Sequence, residues 1–146
     1  VYRQEVPQQR KQPLRKRFRP QPDIRIDSGR IYIHMEGPEV FKAAVRHMGA
    51  TTLKTLEKAG VSKDDIDMFI AHQANNRIIQ AIAKRLPVQA DHMWVNVNRF
   101  GNTSAASVGI ALDEAVRAGK VKHGDIVVLT GFGAGLTWGC DVMRWM

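Results

Sequence analysis

One cysteine, Cys140, is all that the chain carries in 146 residues. An internal disulfide framework is thereby excluded, and a lone thiol fits a reducing, cytosolic setting. Long apolar runs are missing too: none approaches the ~18 to 20 residues of a membrane-spanning helix, and the N-terminus lacks the apolar segment of a signal peptide. The expectation is a cytoplasmic protein without a membrane partner. Histidine is scarce, and four of the five, His34, His47, His92 and His123, show no i, i+4 or cysteine-paired spacing, so no metal site is expected. Acidic residues are outnumbered, which leaves a net charge of +8. That excess is local, because residues 1 to 30 hold nine Lys or Arg against three acids and the remainder holds thirteen against eleven.

Proline is also rare outside one stretch. Four of the six, Pro7, Pro13, Pro20 and Pro22, fall within residues 1 to 29, among five glutamines. Apolar residues are too sparse there to offset the entropy of ordering, so a disordered basic tail over 1–29 and one folded domain over 30–146 are expected. The run Arg15-Lys16-Arg17-Phe18-Arg19 could meet a phosphate array. A solvated tail is the better reading, and it weighs against nucleic acid, since only Phe18 interleaves the charges and no groove-reading fold accompanies them.

What is present is an alternation of helical and strand-like patterns. Ile31 to Met35 alternates weakly, as an extended lead-in. Gly37-Pro38 opens a helix that Gly60 closes, with Phe41, Ala44, Val45, Met48, Leu53, Leu56 and Ala59 as its apolar stripe and Lys42, Arg46, Lys54, Glu57 and Lys58 on the other face. Ser62 and Asp65 have the spacing of a capping box. Met68-Phe69-Ile70-Ala71 reads as a buried strand; Ile78, Ile79, Ile82 and Leu86 then recur at helical spacing until Pro87. Trp94, Val95 and Val97 form a second strand-like run. A helix rich in small residues follows from Thr103 to Ala118, expected to be buried between layers, with Gly119 as its left-handed stop. Ile126 to Leu129 and Leu136 to Trp145 read as strands joined through Gly131-Phe132-Gly133-Ala134-Gly135. The five-residue join is too short for a crossover helix, so this last pair is antiparallel, in a layered α/β sheet.

Two polar motifs stand where apolar runs give way to helices: His72-Gln73-Ala74-Asn75 and Gly101-Asn102-Thr103-Ser104-Ala105-Ala106-Ser107. Ligands of open α/β sheets bind outside the carboxyl ends of the strands. His72 and Asn102 are therefore placed to meet one substrate. Taken singly, a histidine at a strand end is more often structural, and an asparagine in such a turn more often a cap. Together, a neutral imidazole N–H and a carboxamide are two uncharged donors suited to one developing oxyanion. The Gly131–Gly135 segment lacks the following helix that a dinucleotide fingerprint requires. Its glycines suit either close backbone approach to a substrate or a plain hairpin turn.

From about Ile31 to Met146 the sequence resembles the C-terminal half of a β-ketoacyl-[acyl-carrier-protein] synthase III, of the thiolase-like superfamily. The motifs that carry this are Met35-Glu36-Gly37 with Glu39-Val40-Phe41-Lys42, the two polar motifs above, and Gly131 through Gly139. The resemblance implies a thiolase-like α/β half and an acyltransferase that condenses an acyl group from acyl-CoA with malonyl-ACP, with these as substrates and no cofactor. It implies His72 and Asn102 as two of a Cys-His-Asn trio, the Phe132-Gly133-Ala134 backbone as an oxyanion hole, and Ala74 and Asn75 along the pantetheine tunnel. The family commonly has glycine where Ala134 stands. Lys42, Arg77, Lys84 and Arg85 match basic positions that meet the acidic carrier protein; each is nearly as well read as a solvated helix charge. The family is homodimeric when complete. Its cysteine-bearing half has no counterpart in this chain, so a truncated, split or frame-shifted product, inactive alone, is expected. The alternative is a non-catalytic module that binds coenzyme A or carrier protein.

Overall fold

The computed structural model describes residues 2–3, 36–86 and 88–146. The lead-in at Ile31 to Met35, the basic run at Arg15 to Arg19, and Pro87 lie outside them, as does nearly all of the expected tail. The exception is Tyr2–Arg3, a short strand (β1). It pairs antiparallel with Val142 and Asp141, where a solvated chain was expected. An open sheet edge offers unpaired N–H and C=O groups to whatever backbone reaches it.

Helix α1 runs over Gly37–Ala59, with Pro38 in its first turn and Gly60 closing it at φ 65°. Its buried stripe holds Ala44, Val45, Met48 and Leu56 as expected, but Leu53 is 47% exposed, and Thr52 and Thr55 are buried instead. Positions 48, 52, 55 and 56 follow the three-to-four residue step, whereas residue 53 is five past Met48 and turns away. The two threonine hydroxyls are satisfied by donating back to the Met48 and Thr51 carbonyls, each at 2.9 Å. The Ser62–Asp65 capping box forms around a single 3₁₀ turn at Lys63–Asp65.

Strand β2, Met68–Ala71, is fully buried and pairs in parallel with β3, Ile126–Gly133. The β3 strand pairs antiparallel with β4, Thr137–Arg144, over eight residues, in the order β1-β4-β3-β2. Side chains alternate between the faces. Phe69, Ala71, Val128, Cys140 and Val142 pack with α1 and with α2, Asn76–Arg85; Met68, Ile70 and Val127 pack with Ala111 and Ala115 of α4, Ala106–Arg117. The result is the expected layered α/β arrangement, in which one parallel pair and one antiparallel pair share β3.

Two expectations need correction. The run Trp94 to Val97 is not a strand: Met93 makes one isolated bridge to Phe69, and Val97–Phe100 is a short helix, α3. The backbone N–H groups of Asn96 and Val97 donate to the Gln73 carboxamide oxygen at 2.8 and 3.2 Å, so no ladder can use them. The α4 helix starts at Ala106 and is not enclosed. One face is buried through Ser107, Ala111 and Ala115, while Ala106, Gly109 and Asp113 are exposed.

Candidate active site

His72 follows the last residue of β2, and its backbone N–H donates to the Thr130 carbonyl of β3 at 2.7 Å. The parallel pairing thus sets the imidazole at the sheet's carboxyl edge, beside the base of the β3–β4 hairpin. Its side chain is half-buried, and burial lowers the pKa from 6.5. A neutral ring at pH 7 follows. Nδ1 lies 2.5 Å from the Ser107 hydroxyl, at the first turn of α4. That same Oγ accepts from the Gln73 N–H at 3.2 Å.

Gln73 is wholly buried and spends its amide on backbone. Nε2 donates to the carbonyls of Ala71 at 2.8 Å and Trp94 at 3.3 Å, while Oε1 takes the Asn96 and Val97 N–H groups. Four contacts leave its carboxamide one orientation. The segment so anchored is held a second time by Glu114 of α4. Its carboxylate accepts from Asn96 Nδ2 at 2.6 Å and Trp94 Nε1 at 3.3 Å and pairs with Arg99 at 2.8 Å. The Asn96 hydrogen bond is foremost in holding Glu114 below its usual 4.5. Asn102 lies beyond this braced segment. It is exposed, and its Oδ1 accepts from the Ser104 N–H at 3.0 Å, which directs the carboxamide oxygen into the turn. Gly101 at φ 68° and Ser104 at φ 53° bend the chain here.

Gln73 and Ser107 had no signal in the sequence beyond the polarity of the two motifs, and Asn96 and Glu114, outside both, had none, yet these four carry the site's hydrogen bonds. Asn75 proves to be the N-cap of α2, its Oδ1 accepting from the Arg77 N–H at 2.8 Å. Ala74 donates its N–H to the His72 carbonyl at 2.8 Å, in a tight turn. Phe132 and Gly133 belong to the hairpin itself, opposite Trp138 and Thr137. The turn proper is Ala134-Gly135-Leu136, with Gly135 at φ 76° and Leu136 at φ 53°. Lys42, Arg77, Lys84 and Arg85 are all exposed; Lys42 pairs with Glu39 at 3.0 Å. The other three are the only charged residues among the ten of α2, and Lys84 borders a groove of about 470 Å³ with Val88, Met93 and Val95. Two further histidines have structural tasks: His47 stacks on Trp138 at 3.9 Å, and His92 Nδ1 meets the Ile66 carbonyl at 2.7 Å.

The sequence profile described as "3-Oxoacyl-[acyl-carrier-protein (ACP)] synthase III C terminal" matches residues 56–145. The chain belongs to this family. It is 56% identical over 113 residues to the β-ketoacyl-[acyl-carrier-protein] synthase III of Desulfitobacterium hafniense, covering 77% of this chain and 34% of that protein. The Thermus thermophilus synthase III crystal structure superposes with a TM-score of 0.76 at 52% identity, over 77% of this chain and 35% of that one. The Aquifex aeolicus VF5 enzyme gives 0.77 at 49%, over 78% and 37%. The synthase III C-terminal chain described here therefore spans about a third of the length of such relatives, and its fold is the thiolase-like α/β type.

Proposed function

We propose that this chain supplies the His/Asn half of a condensing acyltransferase that initiates fatty-acid synthesis. The substrates are an acyl-CoA and malonyl-ACP, and no cofactor takes part. A cysteine-bearing half, in a cytoplasmic homodimeric assembly, holds the acyl group as a thioester. The malonyl C–CO₂ bond breaks and CO₂ departs, leaving its electron pair as an enolate. The enolate carbon attacks the acyl carbonyl and displaces the cysteine thiolate, giving β-ketoacyl-ACP.

The observation that carries this reading is His72: an imidazole at the carboxyl end of β2, kept neutral by burial and fixed on Ser107. A neutral N–H donor stabilises an enolate oxygen by hydrogen bonding while keeping its own proton, and departing CO₂ removes any need for a base. The carboxamide N–H₂ of Asn102 is the second donor, since its oxygen is already engaged by Ser104. The hairpin residues Phe132, Gly133 and Ala134 form the oxyanion site that faces the acylated cysteine; the alanine keeps the backbone N–H that the family's glycine would offer. Ala74 and Asn75 line the pantetheine tunnel. Lys42, Arg77, Lys84 and Arg85 dock the acidic carrier protein, which is supported by the absence of any acid on α2.

The test is separation of the half-reactions in an enzyme completed by a cysteine-bearing half. His72→Ala or Asn102→Ala lowers malonyl decarboxylation by ~2.7 to 4 kcal/mol of transition-state stabilisation, about 10² to 10³ in rate, the scale for one oxyanion donor. Acylation of the cysteine is largely spared. Equal loss in both half-reactions would remove these residues from the enolate site. Carrier-protein binding without decarboxylation by the completed wild-type enzyme would instead establish a binding module.

A further inference from the structure

We propose that Ser107 is a positioning residue that fixes the tautomer of His72, keeping the imidazole proton on Nε2. Its meaning for catalysis rests on the condensing-enzyme reading, whereas the tautomer itself does not.

The argument is one of donor and acceptor accounting. A serine hydroxyl has one proton to give and two lone pairs to receive with. The Gln73 backbone N–H can only donate, so at 3.2 Å it occupies one lone pair of Ser107 Oγ. Gln73 is immobile, because its side chain is bonded to Ala71, Trp94, Asn96 and Val97. The remaining neighbour of Oγ is His72 Nδ1 at 2.5 Å. Were Nδ1 protonated, it too would donate, and the Ser107 hydroxyl proton would have no acceptor among the described residues. Ser107 is only 2% exposed, and a buried donor left unmade is the costlier arrangement. With the hydroxyl donating to the Nδ1 lone pair, the Ser107 hydroxyl, His72 Nδ1 and the Gln73 N–H are all satisfied.

The consequence lies on the far side of the ring. Nε2 then bears the proton, and it has no hydrogen-bond partner among the described residues. The ring is anchored at its backbone by Thr130 and at Nδ1 by Ser107, so Nε2–H becomes a fixed donor for an incoming oxygen. A histidine lacking this hydroxyl would divide between two tautomers, and only one of them offers that donor.

The tautomer is read without substrate, from nitrogen shifts in a long-range ¹H–¹⁵N spectrum of the chain labelled at histidine, with His72→Gln assigning the signal. At pH 8 the wild type is expected to give a single Nε2–H form. Ser107→Ala is expected to draw the two nitrogen shifts toward each other as both tautomers populate, and Ser107→Thr to restore the single form. An Nδ1–H form in the wild type overturns the proposal, as do unchanged shifts in a folded Ser107→Ala chain. If that variant does not fold, the wild-type shifts decide alone. Because no turnover is measured, a failure here is distinct from a failure of the condensing-enzyme reading.

Discussion

Cys140 shows how one side chain's surroundings settle its chemistry. It lies in β4 with 3% of its surface exposed, and burial pushes the thiol from 9.0 up to about 11, against the smaller opposing effect of the Thr52 and Thr55 hydroxyls. At pH 8 the thiolate is then about one part in a thousand, too little for a nucleophile. Incubation with labelled acetyl-CoA is expected to leave Cys140 unmodified, and iodoacetamide to react rapidly only after urea unfolding. A stoichiometric thioester at Cys140, found by peptide mass spectrometry, would contradict both this and the need for a second, cysteine-bearing half. The burial of this thiol in a strand was legible in the sequence from the strand-like run around it. So was the placing of His72 after an apolar tetrapeptide. Ser107 was not, because its role comes from contacts 34 and 35 positions away, and an isolated Ser in a small-residue helix looks like any other.

Among the elements, α1, β2, α2 and the final hairpin were readable because each has a clean apolar period or a clear stop. The segment Trp94 to Val97 misled for a physical reason. Its composition suits a strand, but its N–H groups are claimed by a glutamine more than twenty positions earlier, and no local pattern records that claim. Gln73 is thus the joint between β2, the segment after Met93 and α4. Gln73→Leu strands two backbone N–H groups and two carbonyls. At ~1 to 3 kcal/mol for each group left unpaired, the expected loss is on the order of 3 kcal/mol or more, measured by the urea midpoint. A loss below about 1 kcal/mol would show that water replaces the carboxamide. Leu53 is the counterpart on α1, an apolar residue that the stripe appeared to need and the core does not use.

For the molecule as a whole, the shifted groups define a window of pH. His72 and His47 both have folded pKa values lowered from 6.5, by burial first and, for His47, by Arg46 as well. The unfolded chain therefore binds more protons below that value, so their contribution is complete above about pH 6.5 and is lost as the pH falls through the folded values. Glu114, lowered from 4.5, adds a further loss in stronger acid. Cys140 has the opposite sign: its contribution is present below 9.0 and is lost as pH rises through about 11. Maximal thermal stability is expected between pH 6.5 and 9, with His72→Gln flattening the acid flank and Cys140→Ala the alkaline one. A melting temperature constant from pH 4.5 to 7 would refute the histidine assignment. The parallel β2–β3 pair has one more consequence, in the order of events during synthesis. The His72 amide needs the Thr130 carbonyl, and the Ile126 amide reaches back 59 positions to the Asp67 carboxylate. A ribosome thus delivers β2, four buried apolar residues long, well before its partner exists. Until the last hairpin emerges, that strand has no ladder partner on the nascent chain, and an unpaired apolar edge of this kind is prone to aggregate.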